Sequence, residues 1–222
     1  MIISLCIPCM NRTYDLKRAM PYTLVEADSS PPVEICVLDY NSQDDLRELI
    51  EFVKETRKIS YWHYTGRDHY HIAHAYNLAV KLSVGEYFVI MGADAIIKNG
   101  YIEAIRELIS KDCIWMRGRH KKGIIACQRK EFINAGGYDE RFEFYGGEDK
   151  DLEYRLRRRG GKFGLVPDGM VDTIITPNKD KLVNYRVAMS KKEMILHNKA
   201  IRDQNNAEGI LVANEGREWG KW

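Results

Sequence analysis

Three acidic positions in this 222-residue chain stand where carboxylates do chemistry. Asp39 closes the apolar run VEICVL and opens DYNSQDD. Asp94 follows the apolar run YFVIM in the tripeptide Gly92-Ala93-Asp94, and Glu148 and Asp149 follow a Gly-Gly pair at the head of a helical pattern. A carboxylate at the carboxyl end of a strand can accept hydrogen bonds from a nucleobase or ribose, or hold a hard cation through oxygen. One beside a glycine turn at a helix start can face a cleft and act as a base. Taken singly, the same residues also read as a turn former, a loop residue and a helix cap favoured by the helix dipole.

The elements that would position them follow from hydrophobic period. Residues 2–7, 33–38, 61–64 and 87–91 read as strands. Helical patterns follow them: Leu16, Ala19, Met20 and Leu24, with Pro21 expected to kink or restart the helix; Leu46, Leu49, Ile50 and Val53 behind a Ser42/Asp45 cap; then 72–82 and 101–109. Four strand-helix repeats predict a mostly parallel sheet with helices on both faces, and ligands beyond the strands' carboxyl ends. The loops starting at Pro8, Asp39 and Gly92 are selected. Shorter strands are expected at 113–116, 124–127, 163–166 and 171–175, with a glycine-rich stretch and a basic helix near 149–159 between them. Beyond Pro177 the chain is lysine-rich, with Leu182, Tyr185 and Met189 at helical spacing and a Ser190/Glu193 cap.

The simplest parse is one α/β domain over 1–177, with regular strand-helix repeats to 112 and shorter strands from 113, followed by a basic helical extension over 178–222. Lys plus Arg (34) nearly balance Asp plus Glu (32), so bulk charge gives no argument for a nucleic-acid partner, and none is expected. A composition of 45% hydrophobic residues excludes disorder. The apolar run 1–10 contains Ser4 and Pro8 and lacks a basic lead, so it is not expected to be a signal peptide. No run approaches the roughly 18 residues of a spanning helix. A cytoplasmic protein is expected, with the basic tail as its one route to peripheral membrane contact. The five cysteines read as buried reduced thiols; Cys6 and Cys9 form a CxxC, but the second pair that a zinc ribbon needs is missing.

Pro8 with Asn11-Arg12, VEICVLDYNSQDD, the block HIAHAYNLAVKLSVGEYFVIMGADAIIKNGYIEAI and the block AGGYDERFEFYGGEDKDLEYRLRRRGGKF occur in an order that resembles family 2 glycosyltransferases of the GT-A fold, over about residues 2–170. The last block also resembles the C-terminal domain of galactosyltransferases, through its GGED run. The resemblance implies a single GT-A, Rossmann-like domain and an inverting transfer of a hexose from a nucleotide sugar, commonly UDP-linked, to a hydroxyl of a glycan or other acceptor. The alternative it leaves is a catalytically degenerate module that binds a sugar nucleotide or glycan.

Carried over by position, Pro8, Asn11 and Arg12 would line the nucleotide pocket, Asp39 would meet the base, and Asn77 would lie near the pocket on its helix. Gly92, Ala93 and Asp94 match the metal-binding turn, where Mn²⁺ or Mg²⁺ would neutralise the leaving diphosphate. Asp149 matches the catalytic base and Glu148 would contact acceptor or donor sugar. The chain departs from the family at three points: Gly92-Ala93-Asp94 keeps one of two acidic residues, Tyr76 replaces an arginine, and Tyr40, able to stack on a base, replaces an aspartate. Further metal ligands reduce to Asp172 and His197. Of the clustered histidines 63, 69, 71 and 74, only the last two meet an i, i+3 spacing, and neutral hydrogen-bonding roles are expected for them. The RLRRR run at 155–159 is expected to be a solvated face, and Trp219 and Trp222 a loose terminus.

Overall fold

The computed structural model describes residues 1–55, 57, 59–120 and 123–222, the side chain of residue 178 excepted. Strands β1 (Ile3–Cys9), β2 (Val33–Tyr40), β3 (Ser60–Tyr64) and β4 (Tyr87–Ile90) alternate with helices α1 (Thr13–Ser29), α2 (Leu46–Lys54) and α3 (Ile72–Leu82). Then come β5 (Ala95–Ile97), α4 (Tyr101–Ser110), β6 (Trp115–Gly118), β7 (Ile125–Gln128), α5 (Arg129–Asn134), α6 (Glu148–Arg158), β8 (Phe163–Val166) and β9 (Val171–Thr173). Helix α7 (Asn178–Leu182) runs into a 3-10 turn over Val183–Tyr185, and α8 (Lys191–Glu208) follows.

The central sheet has seven strands in the order β3-β2-β1-β4-β7-β6-β8. The first four are mutually parallel, β7 is antiparallel to both its neighbours, and β8 is parallel to β6. Side-chain alternation along β1 explains why the sheet is covered twice. Ile3, Leu5 and Ile7 pack with Leu16 and Met20 of α1, Ile50 of α2 and Ile105 of α4. Cys6 faces the other way, with Leu78 of α3, Phe132 of α5 and Leu156 of α6. Each fully buried aliphatic side chain contributes about 1.5–3 kcal/mol. Strand β1 lies between β2 and β4, so the chain leaves it on one side and returns on the other; that reversal opens a crevice at the strands' carboxyl ends.

Several local expectations give way. Strand β1 runs on through Pro8, which places Cys6 and Cys9 in the two opposite cores, where they cannot share a metal or a disulfide. Both thiols are free and buried, and burial pushes Cys6 up to about 12 and raises Cys9 as well. Helix α1 continues without a break through Pro21, which sits on its exposed face where the freed carbonyl can meet water. The Ser42/Asp45 cap of α2 does not form. Ser42 instead accepts the Asn11 N–H, and Asp44 accepts the Thr13 N–H at 2.9 Å, so this loop caps α1. Leu182, Tyr185 and Met189 do not share a helix, because Arg186 enters the left-handed region at φ 50° and ends the 3-10 turn.

The RLRRR run is not a solvated face throughout. Arg155 is fully buried, bonding Asp151 Oδ2 and the Ala135 carbonyl. The C-terminus is packed rather than loose: Lys81 lies over the Trp219 ring and bonds its carbonyl, while Trp222 meets Trp62 and Tyr64 edge to face. Helix α8 begins with the expected capping box and buries Met194, Asn198 and Asn205 against the domain. Among the described residues, no helix is long and apolar enough to cross a membrane.

Candidate active site

A cleft of about 390 Å³ opens at the carboxyl ends of β1 and β4, within the size range of small-molecule sites. Pro8, Cys9, Met10 and Arg12 line it after β1, and Gly92, Ala93 and Asp94 after β4. A Cβ at Gly92 would lie 2.8 Å from Asp94 Oδ1, so a side chain there would push the Asp94 carboxylate aside. Opposite these stand Glu148 and Asp149 in the first turn of α6. That helix starts from Gly147 at φ 101°, a conformation that a side chain would strain. Tyr70, Tyr76, Tyr145 and Tyr185 form aromatic walls, and Thr173 of β9 and Lys181 of α7 close the rim.

The charged groups are arranged with evident order. Arg12 Nε donates to Asp15 Oδ2 at 2.5 Å, which fixes the guanidinium. Its Nη2, buried and without a hydrogen-bond partner, lies 3.4 Å from Asp94 Oδ2. The Lys181 ammonium donates to that same Oδ2 at 2.5 Å. Glu148 is nearly buried, with Oε2 unpartnered; burial, with Asp149 beside it, pushes its carboxyl up to about 8. Asp149 is half-buried, its Oδ1 accepting the Lys150 N–H.

The cleft therefore gathers Pro8, Arg12, Gly92, Ala93, Asp94, Glu148 and Asp149 from the residues singled out in the sequence. Three others do not line it. Asn11 knits loops together: Oδ1 accepts the Gln43 N–H and Nδ2 donates to Asn184 Oδ1. Asp39 is buried beside the β1 exit, where Oδ1 accepts the Ser42 N–H and Oδ2 the Tyr61 hydroxyl. Asn77 is fully buried and staples α3 to the 138–140 loop, donating to the Tyr138 carbonyl and Glu140 Oε1 and accepting the Tyr138 N–H.

Tyr40 has no exposed surface and bonds His74 Nδ1 at 2.7 Å, so no base can stack on it. His74 Nε2 reaches the Lys221 carbonyl, which can only accept, so Nε2 carries the proton. His71 Nδ1 accepts the His74 N–H as the cap of α3, and burial drives its pKa down to about 3. These are neutral hydrogen-bonding histidines.

The donor set does not fit a divalent ion. Such ions want several oxygen ligands, usually including more than one carboxylate. Among the described residues Asp94 is the one carboxylate lining its wall, and its Oδ2 is already engaged by two cations. Strand alternation turns Asp172 outward while its neighbour Thr173 lines the cleft, and His197 is exposed with its ring edge-on to Phe144 at 5.1 Å. Among the described residues no group of three or more His, Cys, Asp or Glu could hold a metal.

Lys181, Asn184, Tyr70, Tyr145 and Tyr185 carry no local signal as site residues, and Tyr76 stood out only as a departure from the family's arginine.

The family model for glycosyl transferase family 2 matches residues 4–159. An uncharacterised glycosyltransferase of Rickettsia conorii is 30% identical over 101 residues, 46% of this chain; the matched stretch spans 16% of that relative. Among solved structures, a mannosyltransferase of Pyrobaculum calidifontis in complex with GDP-Man and Mn²⁺ superposes with a TM-score of 0.68 at 17% identity, covering 94% of this chain and 71% of that one. GalNAc-T7 with UDP, GalNAc and Mn²⁺ superposes at 0.67 and 16% identity, covering 79% of this chain and 43% of that one. These likenesses establish the GT-A fold.

Proposed function

The chain belongs to glycosyl transferase family 2, and from that premise we propose that it moves a hexose from a nucleotide sugar, UDP-linked in our reading, to a hydroxyl of a glycan or similar acceptor. The observation that carries this reading is that one cleft at the sheet's reversal point joins a cationic wall, Arg12 with Lys181, to an acidic wall, Glu148 with Asp149. The fold neighbours with GDP-Man and with UDP and GalNAc support a nucleotide-sugar donor.

In this reading Asp149 takes the proton of the acceptor hydroxyl as its oxygen attacks the anomeric carbon. The bond from that carbon to the diphosphate oxygen breaks on the opposite side, so configuration inverts. A single base without a second nucleophilic carboxylate is the inverting arrangement, by analogy with glycoside hydrolysis. Glu148, protonated at neutral pH, donates a hydrogen bond to a sugar hydroxyl in the water-poor base of the cleft. The tyrosine faces pack against the sugar ring, and Pro8, Gly92 and Ala93 allow the nucleotide close to the backbone. Asp39, Asn11 and Asn77 act through the loops they hold. Both of those neighbours also carry Mn²⁺, which supports a divalent metal for this fold; among the described residues of this chain no fitting ligand set is present, and no step here depends on one.

A thermal-shift panel of UDP-, GDP- and dTDP-sugars tests the donor class, since only ligands of the native state raise the midpoint. One nucleotide series is expected to raise it; no shift with any of them would remove the reading.

A further inference from the structure

We propose that this cleft supplies its own cation for the leaving diphosphate: the Lys181 ammonium and the Arg12 guanidinium, both oriented by Asp94, take the charge-neutralising part without a divalent metal. The inference rests on the donor reading above and concerns how the same site meets the diphosphate.

One carboxylate, Asp94, lies between two cations, 2.5 Å from Lys181 Nζ and 3.4 Å from Arg12 Nη2. Asp15 on Arg12 Nε balances the second cation, so this wall carries no uncompensated negative charge for a divalent ion. A second carboxylate in the 92–94 turn would supply one; the chain has Gly92 there instead.

An ammonium has three N–H bonds, and Asp94 takes one of those on Lys181, leaving two for phosphate oxygens. Arg12 Nη2 is buried with no hydrogen-bond partner. A buried donor in that condition is costly unless a ligand satisfies it, and Nε, held by Asp15, fixes the direction in which it points.

Lys181 is also delivered by a built support. Three residues on, Asn184 donates to the Met10 carbonyl at 2.9 Å, accepts from Asn11 Nδ2 at 2.9 Å, and through its own carbonyl accepts the Tyr70 N–H at 2.7 Å. The α7 segment is thus fastened to the β1 exit by bonds independent of any ion. In the transfer step the electron pair of the breaking carbon–oxygen bond goes to the diphosphate oxygen. Nζ and Nη2 meet the charge that develops there, and the acceptor's proton goes to Asp149.

The test is calorimetric titration of UDP and GDP into wild type, Lys181→Met and Lys181→Arg, each in EDTA and again with Mn²⁺. Wild type is expected to bind one nucleotide in EDTA within about threefold of its affinity with Mn²⁺. Lys181→Met should lose roughly ten- to a hundredfold in EDTA, the range of a lost charge-assisted hydrogen bond. Lys181→Arg should keep most of the EDTA affinity. Wild-type binding that requires Mn²⁺, or a Lys181→Met variant that binds as tightly as wild type in EDTA, would overturn the proposal while leaving the donor reading intact. Absence of binding by wild type to either nucleotide in both media would overturn the donor reading itself, and this proposal with it.

Discussion

Asn198 of α8 donates from Nδ2 to the carbonyls of Phe144 and Gly146, each at 2.7 Å, and so clamps the glycine turn that launches Glu148 and Asp149. The Asn198 side chain is fully buried, and the clamp makes the C-terminal region part of the site's scaffold. Asn205, two turns further along the same face of α8, reinforces it by donating to Asp139 Oδ2 and to Asp151 Oδ1 of α6.

Asn198→Ala leaves two carbonyls without their donor, and we expect a loss of about 1–3 kcal/mol of stability. Because the turn carries the acidic wall and not the nucleotide wall, kcat should fall several-fold more than nucleotide affinity. Parallel urea melts and steady-state kinetics read both; a fall confined to nucleotide affinity would contradict the clamp.

Glu26 gives a prediction about the fold alone. This fully buried residue of α1 accepts the Gly100 and Ile102 N–H groups at 2.9 and 2.7 Å, so a side chain from another helix caps α4. Glu26→Ala should cost about 1–3 kcal/mol by orphaning both donors, seen as a lower urea midpoint with an unchanged slope. An unchanged midpoint would mean that other groups satisfy those N–H bonds.

Glu148 predicts a pH dependence whose sign is fixed. Its carboxyl is raised from 4.5 to about 8 in the folded chain, so between those values the folded state keeps a proton that the unfolded state releases. The stability this contributes is complete below about pH 4.5 and is lost as pH rises through about 8. Glu148→Gln has no such proton to lose. The melting temperature of Glu148→Gln minus that of wild type should therefore climb from pH 5 to pH 9; a flat difference would contradict the raised pKa.

Much of this was legible in the sequence where local pattern decides the outcome. The strand-helix repeats read correctly because β1, β2 and β4 bury residues on both faces and the helices between them carry apolar stripes. Partners distant in the chain decided the rest. Strand β5 is three residues long and exists through pairing with β9. Tyr40 resembled a stacking residue until β2's alternation put it on the inward face with Leu38, against His74. Asn77 was placed on the right helix, but its side chain belongs to the 138–140 loop. Lys181 was one lysine among many in a basic tail, and only the folding back of α7 brings it to Asp94.

The central claim is that this cleft transfers a glycosyl group with Asp149 as the base. Its most direct measurement is the rate of acceptor-dependent nucleotide release by wild type and Asp149→Asn, using the sugar nucleotide that the thermal-shift panel selects. The amide keeps the shape of the carboxylate but cannot take a proton, so the rate should fall roughly 10²- to 10⁴-fold while nucleotide affinity stays within about twofold of wild type. An Asp149→Asn variant that turns over at the wild-type rate would contradict it.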